Sequence, residues 1–220
     1  MMVEVRGLCK DFRDGDCVAH VLRSVDLTIR RGEFVAIMGP SGCGKTTLLN
    51  TLGLMTPATS AERLVVDGVS CLKLSDHERT RVRRERIGFV FQRFNLLGTL
   101  SARRNVELAL QLRHIPLDGQ ADAVLGYVGL TGVAHRKPAH LSIGEQQRAA
   151  IARAVVSCPK LLLADEPTGN LDSKNAAAVV DLFRHFHSTW GMTIVMITHN
   201  RECAASADRV LTMNDGRIQP

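Results

Sequence analysis

Nine consecutive residues, GPSGCGKTT from Gly39 to Thr47, constrain the fold of this chain more than any other stretch. They follow the apolar run FVAIM (Phe34–Met38) and lead into TTLLNTLGL, so a strand-like segment passes straight into a helix-like one. Gly39, Gly44, Lys45 and Thr46 satisfy G-x-x-x-x-G-K-[ST], and a preceding strand and following helix are the context in which that pattern forms a phosphate-binding loop. Each part has a physical role. Glycines let the backbone bend sharply, so that consecutive N–H groups point inward at phosphate. The following helix adds the positive end of its dipole. Lys45 reaches the β- and γ-phosphates of ATP, and the Thr46 hydroxyl is a ligand for Mg2+. Gly39, Pro40, Ser41, Gly42, Cys43, Gly44, Lys45, Thr46 and Thr47 are therefore the candidate ATP-binding residues. A glycine-rich turn with no ligand is the alternative, but it leaves unexplained why strand, full motif and helix coincide.

KLLLADEPTGNLD (Lys160–Asp172) supplies a second half. An apolar strand ends at Asp165, which puts a carboxylate at the carboxyl edge of a parallel sheet, where such sheets bind ligands. Asp165 suits a water-mediated contact with Mg2+. Glu166 follows at once and is placed to orient or deprotonate an attacking water. Alone, the pair also reads as two acids capping the next helix.

The remaining pattern builds a sheet around these motifs. VLRSVDLTI (Val21–Ile29) alternates in part, and RLVVDG is a short strand ending in an Asp-Gly turn, so Val3 to about Gly68 has β character. From about Leu96 to Ser157 the spacing turns helical, over Ser101–Arg113, Gly119–Leu130 and the stretch after Ser142. KLLLAD and MTIVMIT (Met192–Thr198) flank a helix-like segment around Asn175–Ser188, an order that implies a parallel sheet. RVLTMNDGRIQ reads as a terminal hairpin about an Asn-Asp-Gly turn.

Composition narrows the class. With 45% apolar and 23% charged residues the chain suits one compact domain, or a core with a subdomain, rather than disorder. The longest apolar runs fall far short of the roughly 20 residues that span a bilayer. MMVEVRGLCKDF has no leader-like apolar core. A soluble intracellular chain is expected. The cysteines at 9, 17, 43, 71, 158 and 203 form neither a CxxC pair nor a zinc spacing, which fits reduced thiols. His185 and His187 stand two apart on a helix and face different directions. The net charge of +6 fits a nucleic-acid or acidic-membrane partner, or a scatter of solvated arginines. The densest cluster, ERTRVRRER (Glu78–Arg86), contains its own glutamates and no aromatic for base stacking. This favours a solvated face, and no nucleic-acid partner is expected.

HLSIGEQQRAAIARA (His140–Ala154) reads in two ways. Ser142 followed three residues later by Glu145 is a capping box. The same stretch is similar to the LSGGQ signature of an ATP-binding cassette, with Ile143 in place of a glycine. Taken with the two motifs above, the chain resembles an ABC ATPase over nearly its whole length. Gln92 in GFVFQRFNLL stands at that family's Q-loop, which joins the Mg2+ and attacking-water environment to the helical insert and the transmembrane partner. Asp172 in GNLD stands at the D-loop, which crosses the dimer interface. His199 in VMITHN stands at the H-loop, whose histidine contacts the γ-phosphate. Phe12 in CKDF stands where an aromatic stacks on adenine. Ser142, Ile143, Gly144 and Glu145 form the signature, which closes over ATP held by the other subunit. Lys45, Gln92, Glu166 and His199 are the implied catalytic residues; Thr46, Gln92 and Asp165 are the implied Mg2+ site.

The resemblance implies an α/β fold: a P-loop NTPase parallel-sheet core, an antiparallel β front subdomain and an α-helical insert. It implies a single ATP-binding domain over 1–220, with 1–95 and 158–220 as the catalytic core and 96–157 as the helical signature subdomain. The implied partners are a second copy, paired head to tail on ATP binding, and transmembrane permease subunits. The implied location is peripheral, on the cytoplasmic face of the inner membrane. DEPTGNLD, FVFQRFNLL and EQQRAAIARA resemble the lipoprotein-releasing, macrolide-exporting and cell-division type. A non-transport ABC ATPase and a cassette with weak hydrolysis are the alternatives. Ile143 motivates the second, because a β-branched residue is tolerated at negative φ and costly otherwise. Cys43 is either a reactive thiol near a lysine and a helix start, or a small residue that fits.

Overall fold

A computed structural model describes residues 1–219. Two long antiparallel strands, β1 (Val3–Asp14) and β2 (Cys17–Ile29), lead into β3 (Phe34–Met38) and α1 (Lys45–Leu52). The short strands β4 (Arg63–Val66) and β5 (Val69–Ser70) precede α2 (Asp76–Arg86) and β6 (Ile87–Val90). Three helices follow: α3 (Ala102–Gln111), α4 (Gln120–Tyr127) and α5 (Ile143–Val155). The chain then runs through β7 (Leu161–Asp165), α6 (Ser173–Trp190), β8 (Thr193–Ile197), the single turn α7 (Arg201–Ala204), β9 (Arg209–Asn214) and β10 (Arg217–Gln219).

Two sheets result. One is antiparallel, in the order β2-β1-β4-β5. The other has the order β10-β9-β3-β8-β7-β6 and is parallel except for β10. The expected terminal hairpin is present, and its first strand also extends the parallel sheet by pairing with β3.

The central strands are buried on both faces, which is why they read as unbroken apolar runs. Phe34, Ala36, Leu162, Ala164, Ile194 and Met196 pack into one core with the buried faces of α3, α4, α5 and α6. Val35, Ile37, Leu161, Leu163, Val195 and Ile197, the alternate residues, pack into a second core with α1 and the antiparallel sheet. Fully burying each large aliphatic side chain contributes about 1.5–3 kcal/mol, so this central layer is the rigid part of the fold.

The helix α2 lies over the arginine-rich cluster and has no apolar stripe; Val82 is its only buried residue. It forms through its ends. Ser75 and Glu78 make a capping box, Asp76 and Glu78 occupy the first turn, and three arginines occupy the last.

Candidate nucleotide site at the carboxyl edge of the sheet

The three central strands end in register. Ile37 of β3 pairs with Ile197 of β8, which pairs with Asp165 of β7. The loops that follow these strands carry the phosphate-loop motif, Glu166 and His199, so residues far apart in sequence meet at one edge.

Two of the loop's glycines are required by close approach. At Gly39 (φ +155) a Cβ would overlap the Met213 carbonyl and stand 3.0 Å from Cys43 Sγ. At Gly44 (φ +102), which caps α1, it would stand 2.9 Å from the Val21 carbonyl. Lys45 is buried, and its Nζ donates to the Gly39 and Pro40 carbonyls, both at 2.9 Å. Its ammonium therefore sits across the mouth of the loop's first two residues. Thr46 is exposed at the first turn of α1, and its Oγ1 donates to Asp165 Oδ1 at 3.2 Å. Burial pushes the Asp165 carboxyl up, while the Thr46 hydroxyl and Lys45 pull it down and Glu166 adds to the rise.

These donors fit Mg2+. A hydroxyl and a carboxylate are hard oxygen ligands, and the buried carboxylate carries a charge that a cation would neutralise. No group of three or more His, Cys, Asp or Glu among the described residues is arranged to hold a metal. The two side chains would therefore leave most of the coordination to phosphate and water, as Mg2+ prefers.

Glu166 has φ +44, a left-handed backbone that costs a non-glycine residue about 1–3 kcal/mol. Such strain persists only where its surroundings enforce it. Here the Glu166 N–H donates to the Ile197 carbonyl at 3.0 Å and its carbonyl accepts from Gly169 N–H at 3.1 Å. The turn breaks the strand and swings the side chain to His199, whose Nδ1 lies 2.7 Å from Glu166 Oε2. Sequence reasoning identified both residues and missed the strain that joins them, because nothing in ADEPTG specifies a left-handed glutamate.

Gln92 is exposed just after β6, and its carbonyl accepts from Asn170 Nδ2 at 3.1 Å. The loop it begins is braced by Arg153 of α5, whose guanidinium donates to the Phe94 and Asn95 carbonyls at 2.9 and 2.6 Å. Phe12 is 45% exposed on β1, with Lys10 Nζ 4.8 Å from its ring centroid.

Ser142 and Glu145 do form the capping box: Ser142 Oγ accepts from Glu145 N–H at 3.3 Å, and Glu145 Oε2 accepts from Ser142 N–H at 2.7 Å. That N–H is the main reason that the Glu145 carboxyl is held below its usual range. The cap occupies a lone pair of the Ser142 hydroxyl, and the same side chain helps to hold the Glu145 carboxyl down. Ile143 is the first residue of α5, has negative φ and is 55% exposed, so it carries no backbone strain. Asp172 caps α6 by accepting from Asn175 N–H at 2.8 Å. Among the described residues, no hydrogen bond or ion pair joins Ser142–Glu145 or Asp172 to the phosphate-loop group of Lys45, Thr46, Asp165, Glu166 and His199.

A family profile described as ABC transporter matches residues 22–169, from β2 past Glu166. The chain belongs to the ABC transporter family. This cassette is 43% identical over 223 residues to the macrolide export ATP-binding/permease protein MacB of Bdellovibrio bacteriovorus, an alignment covering 99% of this chain and 33% of the relative. It is 42% identical over 220 residues to MacB of Escherichia coli, covering 99% and 34%. The cassette thus spans about a third of the length of these curated relatives. Its fold superposes with a TM-score of 0.93 on a dimeric post-hydrolysis state of the ATP-binding cassette MJ0796 bound to ADP and Pi, at 38% identity, covering 100% of this chain and 97% of that one. A second dimeric structure of MJ0796, described as a bacterial ABC transporter cassette, gives 0.92 and 37%. The fold expected from sequence, a parallel-sheet core with an antiparallel front sheet and inserted helices, is the fold observed.

Proposed function

We propose that this cassette binds and hydrolyses ATP as the motor of an ABC transporter, two copies closing head to tail on the nucleotide. The observation that carries the reading is the sheet edge itself, where Thr46 meets Asp165 and Glu166 meets His199 beside the lysine-bearing loop. The loop N–H groups and Lys45 hold the β- and γ-phosphates, Phe12 stacks on adenine, and Thr46 and Asp165, with Gln92, would hold Mg2+. When bound, Mg2+ neutralises charge on the phosphates and fixes their geometry. Glu166 orients the attacking water and accepts its proton, and His199 holds Glu166 in position while its exposed ring faces the γ-phosphate side.

The two dimeric cassette structures that share this fold support the head-to-tail pair, in which the signature of one copy serves the ATP of the other. A helix N-terminus with its N–H groups is a suitable γ-phosphate partner. Residues 96–157 act as the signature-bearing helical subdomain of a single 1–220 cassette, a reading supported by the mutual packing of α3, α4 and α5. For membrane partners, support comes from an open cleft of about 450 Å3 lined by Met55, Ile87, Phe89, Phe91 and Leu112, next to the Gln92 loop. No described helix is long and apolar enough to cross a membrane. As part of this reading the cassette attaches peripherally at the cytoplasmic face through its permease partners, and macrolide-export or lipoprotein-release systems are the transporter types its sequence fits best. Purified chain given ATP and Mg2+ is expected to release phosphate and to shift from monomer to dimer on gel filtration. Absence of both phosphate release and dimerisation would sink the reading.

Ile143 bears on the closed pair only. Its unstrained helical backbone leaves the side chain's bulk at the interface as its one cost. Ile143→Gly is expected to raise ATPase activity and ATP-dependent dimerisation several-fold, without raising thermal stability, since glycine loses about 0.5–1 kcal/mol in helices relative to alanine. Unchanged turnover and dimerisation would show that the closed pair accommodates the isoleucine.

Cys43 is 6% exposed, with Lys45 Nζ 3.9 Å from its sulfur, whereas Cys17 and Cys158 are exposed. Maleimide is expected to label the two exposed thiols first. Cys43 should react slowly and lose nucleotide binding once modified, and ATP should slow it further. Equal Cys43 labelling rates with and without ATP would count against its place in the site.

A further inference from the structure

Asn175, in the first turn of α6, bridges two elements that sequence distance keeps apart. Its backbone N–H and its Nδ2 donate to the two carboxylate oxygens of Asp172, both at 2.8 Å. Its Oδ1 accepts from Arg148 Nη1 of α5 at 3.3 Å. The amide orientation is consistent from both sides, because only the NH2 end suits a carboxylate and only the oxygen suits a guanidinium. The carboxamide also abuts the start of α5, where a Cβ at Gly144 would stand 2.7 Å from Asn175 Cγ and closer still to its Oδ1. Gly144 is thus small for a reason internal to one copy: the Asn175 amide fills the space.

We propose that Asn175 is a positioning residue that clamps the Ser142–Glu145 turn to the Asp172 turn, so that both interface elements of one copy meet the partner as a single body. The inference rests on the head-to-tail reading above. Without the clamp, each turn keeps its own cap but moves independently. Closing the pair then requires ordering both at the moment of association, and that ordering weakens ATP-driven dimerisation. The Asp172 carboxyl is held below its usual range first by the Asn175 N–H and then by the Asn175 side chain, in keeping with this geometry.

The test uses a Glu166→Gln background, in which the ATP-bound pair accumulates. The half-saturating ATP concentration for dimerisation is read by light scattering in Asn175→Ala, in Arg148→Ala and in the double variant. Each single change is expected to raise it about tenfold, a shift typical of contacting groups in one network, and the double variant should be no worse than the weaker single. ATP affinity of the monomer, measured by fluorescent-analogue displacement below the dimerising concentration, should be unchanged, as should the thermal midpoint. Unaltered dimerisation in Asn175→Ala, additive losses in the double variant, or a parallel fall in monomer affinity and thermal midpoint would each overturn the clamp. If the Glu166→Gln parent binds no ATP or never dimerises, the head-to-tail reading itself fails, and this proposal fails with it.

Discussion

Glu166→Gln is expected to lower the rate of ATP hydrolysis by about 10²- to 10⁴-fold, the range for removing a positioned general base. Glutamine keeps the size and the left-handed turn's hydrogen bonds to Ile197 and Gly169, which are made by the backbone. It loses the charge that, in the proposed reading, orients water and takes its proton. ATP binding through the loop, Lys45 and Thr46 should survive, so the ATP-bound dimer should build up and persist. Phosphate release and gel filtration on one sample check both halves. Residual hydrolysis within a fewfold of the unsubstituted chain would move the base away from Glu166. His199→Ala should give a smaller loss, because it removes the group that holds Glu166 and leaves the base.

Lys45→Ala is expected to weaken ATP binding roughly 10- to 100-fold, since a hydrogen bond to a charged group contributes about 1.5–3 kcal/mol and each 1.4 kcal/mol is tenfold. The loss should fall on affinity before turnover, and dimerisation should disappear with it. Lys45 is also buried and bonded to the Gly39 and Pro40 carbonyls, so its removal leaves two loop carbonyls short of a partner. A drop in thermal midpoint without nucleotide is therefore expected as well. Isothermal titration at two ATP concentrations, paired with a melting curve, separates the two effects. Unchanged affinity would remove Lys45 from the phosphate site.

The elements legible in the sequence are those with a strong local cause. Strands β3, β7 and β8 were expected as apolar runs, and they form because their alternate residues fill two different cores. Helices α3, α5 and α6 were expected from helix-like patterning, α5 also from its capping box, and each has a side-chain N-cap, at Ser101, Ser142 and Asp172. The helix α2 escaped notice because a helix with one buried residue has no apolar period to read. Ser142 posed a choice between cap and signature. Its geometry shows the cap formed, with the hydroxyl accepting from Glu145 N–H. Ile143 posed a question of strain, and its negative φ answers it.

By itself the sequence determined the phosphate-loop motif, the identity of the acids and histidine at strand ends, and the α/β class. These depend on neighbours along the chain: a glycine where the loop must turn, a carboxylate where an apolar run stops. Only the tertiary structure decided how they meet. Strands 34–38, 161–165 and 193–197 are brought into register by pairing across the sheet, and that register sets Thr46 on Asp165 and Glu166 on His199. The left-handed Glu166 and the Asn175 bridge between Asp172 and α5 belong to the same class. They are contacts between segments whose separation along the chain carries no information about their distance in space, so packing, rather than local pattern, had to supply them.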